Sequence, residues 1–205
     1  MATRLKVKKI DLTEIRDNME CRITNPFMVI LNRIGITPNA LTLIGLAVSI
    51  VAAYVVATGH FFYGGLAVLF AGLFDLLDGA LANFNKQATL FGAILDSTVD
   101  RISEAAIFCG LMFYFMSMGS NLVIILIFLV VVGSFLVSYV RARAEGLGLK
   151  CQVGWFTRAE RIVLLTIGLL LNQVLIILWI LVVFVYVTVF QRLHYLRKAQ
   201  KGVTK

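Results

Sequence analysis

The sequence predicts an all-α protein, a polytopic membrane bundle of six transmembrane helices with an N-terminal amphipathic helix on the bilayer surface. Three observations lead there. Of the 205 residues, 60% are hydrophobic and only 15% charged, and the mean hydropathy is +0.92, too apolar for a water-soluble domain of this length. The apolar residues collect into runs long enough to cross about 30 Å of hydrocarbon. The 19 Lys and Arg, which carry most of the +8 net charge, fall in segments that share one face of such a bundle. No nucleic-acid partner is expected, and membrane lipids are the surroundings.

The N-terminal segment, residues 1–36, stays outside the bilayer. Its first 33 residues hold seven Lys or Arg and four Asp or Glu, which excludes the apolar core of a cleaved secretory signal. Leu12, Ile15, Met19 and Ile23 fall near helical spacing opposite Arg16, Asp17 and Arg22, and Asp11 with Glu14 resembles a capping box, so a surface helix is expected. Thr37-Pro38 then reads as an N-cap with proline at the first helical position, opening a charge-free run to Thr58. Gly59-His60 turns the chain into a second span over 61–82, a third follows over 89–117, and a break at Met118-Gly119-Ser120-Asn121 leads to a fourth over 122–144.

The apolar stretch 162–190 is either one long span or two short ones parted at Asn172-Gln173. Charge arbitrates. With six spans, the turns at 58–61, 117–121 and 172–173, which contain no Lys or Arg, share one face. Five spans would strand Arg192, Arg197, Lys198, Lys201 and Lys205 on the far side, against the positive-inside rule. The expectation is therefore a cell-membrane, multi-pass protein with both termini and the active site cytoplasmic, a catalytic domain over 37–197 and a basic tail over 198–205.

Cys21, Cys109 and Cys151 stand far apart, and His60 and His194 stand alone, so neither a zinc site nor a histidine-based nucleophilic triad is indicated. The chemistry lies in carboxylates. Between residues 34 and 100 the only acidic residues are Asp75, Asp78, Asp96 and Asp100. Each pair, three and four residues apart, projects from one helix face, and an antiparallel hairpin brings the pairs together near its cytoplasmic end. Each buried charge at membrane depth costs about 3 kcal/mol or more, and Arg101 offsets only one, so divalent cations are the expected remedy. Two Mg²⁺ or Mn²⁺ ions about 4 Å apart would suit in-line displacement at a phosphate. A cation transporter would want its acids near the midplane with a route to both faces. The outer halves of these spans carry no charged side chain, His60 at its turn aside. A structural scaffold would not explain four paired carboxylates.

Asp75-Leu-Leu-Asp78-Gly79-Ala-Leu-Ala82, then Gly92-Ala-Ile-Leu-Asp96-Ser-Thr-Val-Asp100, resembles the signature of the CDP-alcohol phosphotransferase family, D-x-x-D-G-x-x-A-R followed after eight residues by G-x-x-x-D-x-x-x-D. The Thr37-Pro38-Asn39-Ala-Leu-Thr42 opening is similar too. One position departs, with Asn83 where the signature has Arg, and Lys86 is near enough in sequence to substitute. The resemblance implies transfer of a lipid phosphate group from a CDP-lipid to a hydroxyl with release of CMP, and a homodimer. It implies Asp75, Asp78, Asp96 and Asp100 as metal ligands, with Asp100 also the catalytic base. Asn39, Thr42, Asp75, Gly79, Ala82 and Gly92 would meet the CDP-lipid, either CDP-diacylglycerol or CDP-archaeol.

A second charged group, Arg141, Arg143, Lys150, Arg158, Arg161 and Arg192, suggests an anionic acceptor, because guanidinium groups fork onto phosphate oxygens. Ser138-Tyr-Val-Arg141-Ala-Arg143, Val153-Gly154 and Arg158-Ala-Glu-Arg161 resemble the branch of the family that makes phosphatidylinositol phosphate or archaetidylinositol phosphate. That resemblance assigns Ser138, Arg141, Arg143 and Arg161 to the acceptor phosphate, and Arg192 joins them through the charged group, with inositol phosphate the expected acceptor and glycerol 3-phosphate next.

Overall fold

The computed structural model describes residues 35–84, 89–149, 151, 153–154 and 156–203. Six helices follow in order: α1 (Pro38–Ala57), α2 (Phe61–Phe84), α3 (Leu90–Ser117), α4 (Asn121–Gly146), α5 (Arg158–Leu170) and α6 (Val174–Val203), with no strand among the described residues. The expected surface helix over Leu12 to Ile23, and Lys86 and Lys150, lie outside the described residues.

The helix ends follow local chemistry. Thr37 caps α1 by accepting from Ala40 N, and Thr89 caps α3 by accepting from Gly92 N at 2.9 Å. Thr157 and Glu160 form a capping box at the start of α5. Three turns on one side of the bundle close alike, each with a left-handed residue after the helix: Gly59 (φ 85°), Gly119 (φ 67°) and Asn172 (φ 55°). In each, the next residue's N–H reaches back five residues, as from Gln173 to Gly168 O at 2.8 Å. The Asn172 turn divides the stretch 162–190 into two helices.

Helices α1, α2, α4 and α6 are long and apolar enough to cross a membrane. Helix α3 has 28 residues but carries Asp96, Asp100, Arg101 and Glu104, and α5 has 13 residues, about 20 Å of helix. Helix α1 lies against α2 and α3, α5 against α2 and α6, and α4 against α3 and α6. Phe108, Leu111, Leu126, Ile127, Leu165, Leu169, Leu178 and Leu181 are fully buried among them. Small residues set the closest approach: a Cβ on Gly110 would sit 2.2 Å from Ala53 O, so α3 and α1 touch backbone to backbone. That contact holds α3 against α1, which packs on α2 in turn, so α1 joins the two aspartate-bearing helices in place of the direct hairpin packing that the spacing suggested.

Candidate active site

At the α2–α3 end of the bundle the two Asp pairs meet. One carboxylate oxygen each from Asp75, Asp78 and Asp96 lies within 4.8 Å of the other two. Opposite ligands of one hard cation stand two bond lengths apart, from about 4.2 Å for Mg²⁺ to about 4.8 Å for Ca²⁺, so the trio is near the span of a single ion and needs at most a small inward shift to hold Mg²⁺ or Mn²⁺. Asp78 is 5% exposed and accepts from the Thr42 hydroxyl at 2.6 Å, which ties α1 to the cluster. Thr42, expected among the donor's contacts, thus also fixes a carboxylate.

Asp100 stands one turn further along α3, outside that trio. Arg158 faces it from the first turn of α5: Nη1 is 2.6 Å from Asp100 Oδ1 and donates a hydrogen bond of 2.9 Å to Asp75 Oδ2. The contact with Asp100 is close in distance but poorly aligned. Asp100 Oδ1 and Arg158 Nε are both buried without a hydrogen-bond partner. Arg101 adds a weaker contact, 3.8 Å from Asp100 Oδ2. Two guanidinium groups against four carboxylates leave the site anionic, and an orphaned carboxylate oxygen beside it suits a metal ligand.

Asn39, Thr42, Gly79, Ala82 and Gly92 all line one pocket together with Asp78 and Asp96. Of the residues expected to meet the CDP-lipid only Asp75 faces a different space, a narrow cavity that runs inward past Asp100 and Arg158. A Cβ on Gly79 would meet nothing within 4 Å, and one on Gly92 would press on the Thr89 hydroxyl and Asn39 Oδ1 at 3.0 and 3.2 Å. Both glycines keep the pocket wall open.

The expected acceptor residues separate into two groups. Ser138, Arg141 and Arg143 are on the last turns of α4, where Ser138 lines a groove against α3 and Arg141 makes an exposed pair with Glu145 at 2.8 Å. Arg161 is different. It is 2% exposed and grips Glu104 with two hydrogen bonds, Nε to Oε1 at 2.7 Å and Nη2 to Oε2 at 2.8 Å. Arg192 is 4% exposed and donates to two backbone carbonyls, Val153 O at 3.0 Å and Val137 O. Arg161 thus braces α5 against α3, and Arg192 ties α6 to α4 and to the loop before α5. Two contacts were missed, Arg158 on the aspartates and Glu104 on Arg161. Their signal was present as a register match, Asp100 and Glu104 four apart on α3 against Arg158 and Arg161 three apart on α5.

Residues 35–191 match the model of the CDP-alcohol phosphatidyltransferase family. The chain belongs to that family. A relative, the phosphatidylinositol phosphate synthase of Mycobacteroides abscessus, is 38% identical over 185 residues, covering 86% of this chain and 84% of its own length. The crystal structure of the Mycobacterium tuberculosis phosphatidylinositol phosphate synthase with CDP-DAG bound superposes with a TM-score of 0.79 at 36% identity, over 84% of this chain and 92% of that one. The same enzyme in complex with manganese and citrate gives a TM-score of 0.78 at 35% identity, over 83% and 87%. A CDP-alcohol phosphatidyltransferase with four helices long and apolar enough to cross a membrane is a membrane enzyme of phospholipid synthesis, and its aspartate cluster suits a divalent metal.

Proposed function

We propose that this enzyme transfers the phosphatidyl group of CDP-diacylglycerol to a hydroxyl of inositol phosphate and releases CMP. The observation that carries the reading is the convergence of three carboxylates beside a pocket lined by Asn39, Thr42, Gly79, Ala82 and Gly92. That pocket brings small residues, for close approach of a nucleotide, next to donors suited to a diphosphate's counter-ions. The relatives named above, one of them solved with CDP-DAG, support the donor and the acceptor.

Asp75, Asp78 and Asp96, with Asp100 completing the set, would hold two divalent ions, which when bound neutralise phosphate charge and steady the attacking and leaving oxygens. The acceptor hydroxyl attacks the phosphorus that bears the lipid oxygen, the bond from that phosphorus to the CMP oxygen breaks, and the hydroxyl proton passes to Asp100. A carboxylate only partly committed to metal is the available base, since no histidine is near in the chain. Ser138, Arg141, Arg143, Arg161 and Arg192 receive the acceptor's phosphate, and Arg161 and Arg192 also brace the helices through Glu104 and the carbonyls of Val137 and Val153. Arg141 and Arg161 are paired with Glu145 and Glu104, while Arg192 meets only backbone carbonyls among the described residues and so keeps its charge for an anion.

The same reading puts all six helices in the bilayer, with residues 37–197 as the catalytic domain and both termini on the cytoplasmic side. Support comes from the two helices that fall short of a simple span. The charges of α3 gather in the half nearest the site, and the loop before α5 starts inside the protein, where Cys151 is fully buried.

The test is CMP release by the purified enzyme offered inositol 1-phosphate, glycerol 3-phosphate, serine and free inositol in turn. Inositol 1-phosphate is expected to give the highest kcat/KM. A better rate with serine or free inositol would overturn the acceptor assignment and leave family membership intact.

A further inference from the structure

We infer that Arg158 is a tethered stand-in for the second metal ion, so that the two ions load in order and the second must displace this side chain. The inference rests on the two-ion reading above. Its starting point is an asymmetry between the carboxylates. One oxygen each from Asp75, Asp78 and Asp96 gathers into a site for one cation, and of the three carboxylates only Asp75 is in an ion pair among the described residues. Asp100 Oδ1 and Asp75 Oδ2 are already met by a single atom, Arg158 Nη1, at 2.6 and 2.9 Å, with Arg101 more distant, 3.8 Å from the other oxygen of Asp100. One point of positive charge bridging two carboxylate oxygens on neighbouring helices is the task a second divalent ion would perform.

The substitution is imperfect, and that makes it reversible. Nη1 aligns with Asp75 but not with Asp100, whose Oδ1 has no hydrogen-bond partner, and Arg158 Nε is buried and equally unpartnered. A fork-shaped group normally gains its strength from parallel bonds to one carboxylate, as Arg161 obtains from Glu104 three residues later. Arg158 obtains one good bond and leaves two buried polar atoms unsatisfied, which weakens its hold on the site. A divalent ion bridging Asp75 and Asp100 would satisfy Asp100 Oδ1 and release Arg158.

The backbone need not move for this exchange. Arg161, on the same turn of α5, is anchored to Glu104, and Glu160 closes the capping box with Thr157, so the start of α5 is held while the Arg158 side chain swings. Arg158 is accordingly a positioning residue in the metal-free state. It keeps Asp75 and Asp100 from repelling one another and presets their separation.

The experiment is a titration of the purified full-length protein with Mn²⁺ alone, no nucleotide present, following free Mn²⁺ by electron paramagnetic resonance. Wild type is expected to take up one ion tightly and a second more weakly. Arg158→Gln removes the competing charge, and the second affinity should rise by roughly tenfold or more while the first changes little. Should Arg158→Gln fail to yield folded protein, Arg158→Lys serves, its shorter ammonium bridging the two carboxylates less well and giving a smaller rise in the same direction. Superimposable isotherms for wild type and variant would overturn the proposal, as would a single bound ion in both. Neither result bears on the acceptor, which CMP release decides separately.

Discussion

Glu104 and Arg161 are an ion pair that water does not reach, and removing one partner leaves the other charge bare. Such a loss costs about 3–5 kcal/mol. Glu104→Gln and Arg161→Met should therefore each lower the thermal unfolding midpoint in detergent sharply, whereas the double variant Glu104→Met with Arg161→Met should recover much of the loss. An Arg161→Met protein as stable as wild type, but with a raised acceptor KM, would show that Arg161 serves the acceptor and not the frame. The aspartates separate by role. Asp100→Asn is expected to lower turnover by about 10²–10⁴-fold while CDP-lipid binding persists, because a general base contributes that much. Asp75→Asn or Asp78→Asn should instead weaken Mn²⁺-dependent nucleotide binding, measured by equilibrium binding of labelled CDP-lipid. Near-normal turnover in Asp100→Asn would remove the base assignment.

Helices α1 and α3 meet where Gly110 lies on the Ala53 carbonyl, and backbone cannot yield as a side chain does. Gly110→Ala should cost about 1–3 kcal/mol through forced separation of the helices. Because α1 also brings Thr42 to Asp78, its displacement should reduce activity as well. Gly146→Ala is the control, since a Cβ there meets nothing within 4 Å; equal midpoints for the two variants would show that the contact carries no weight. Much of this layer was readable in advance. Thr37, Thr89, Gly59 and Gly119 act on neighbours within a turn, so the sequence discloses the helix ends, and the Asp pairs declare their face by spacing alone. The break at Asn172 was ambiguous because asparagine enters the left-handed region less readily than glycine. The Arg158 and Arg161 pairings left only a faint register match, which does not say which two helices meet. They join residues 83 and 57 positions apart, and which helices become neighbours is decided by packing of the whole bundle.

At the scale of the molecule, the proposed topology predicts that tags at both termini, and a cysteine introduced between Gly146 and Gly154, all report from the cytoplasmic side. A C-terminus labelled from outside would remove the six-span arrangement. The buried ion pair bears also on how such a chain enters a membrane. A charged residue near the middle of a span opposes insertion by roughly 2.5–3.5 kcal/mol, and in the proposed arrangement α3 brings Glu104 while the short α5 brings Arg161. During synthesis α3 emerges first and its carboxylate has no partner until α5 follows. A ribosome stalled after α4 would thus hold a chain with several good apolar helices and an unpaired acid between them, retained at the translocon or handed to quality control. The two marginal helices complete one another, and the protein becomes a resident of the bilayer only when its last third has been made.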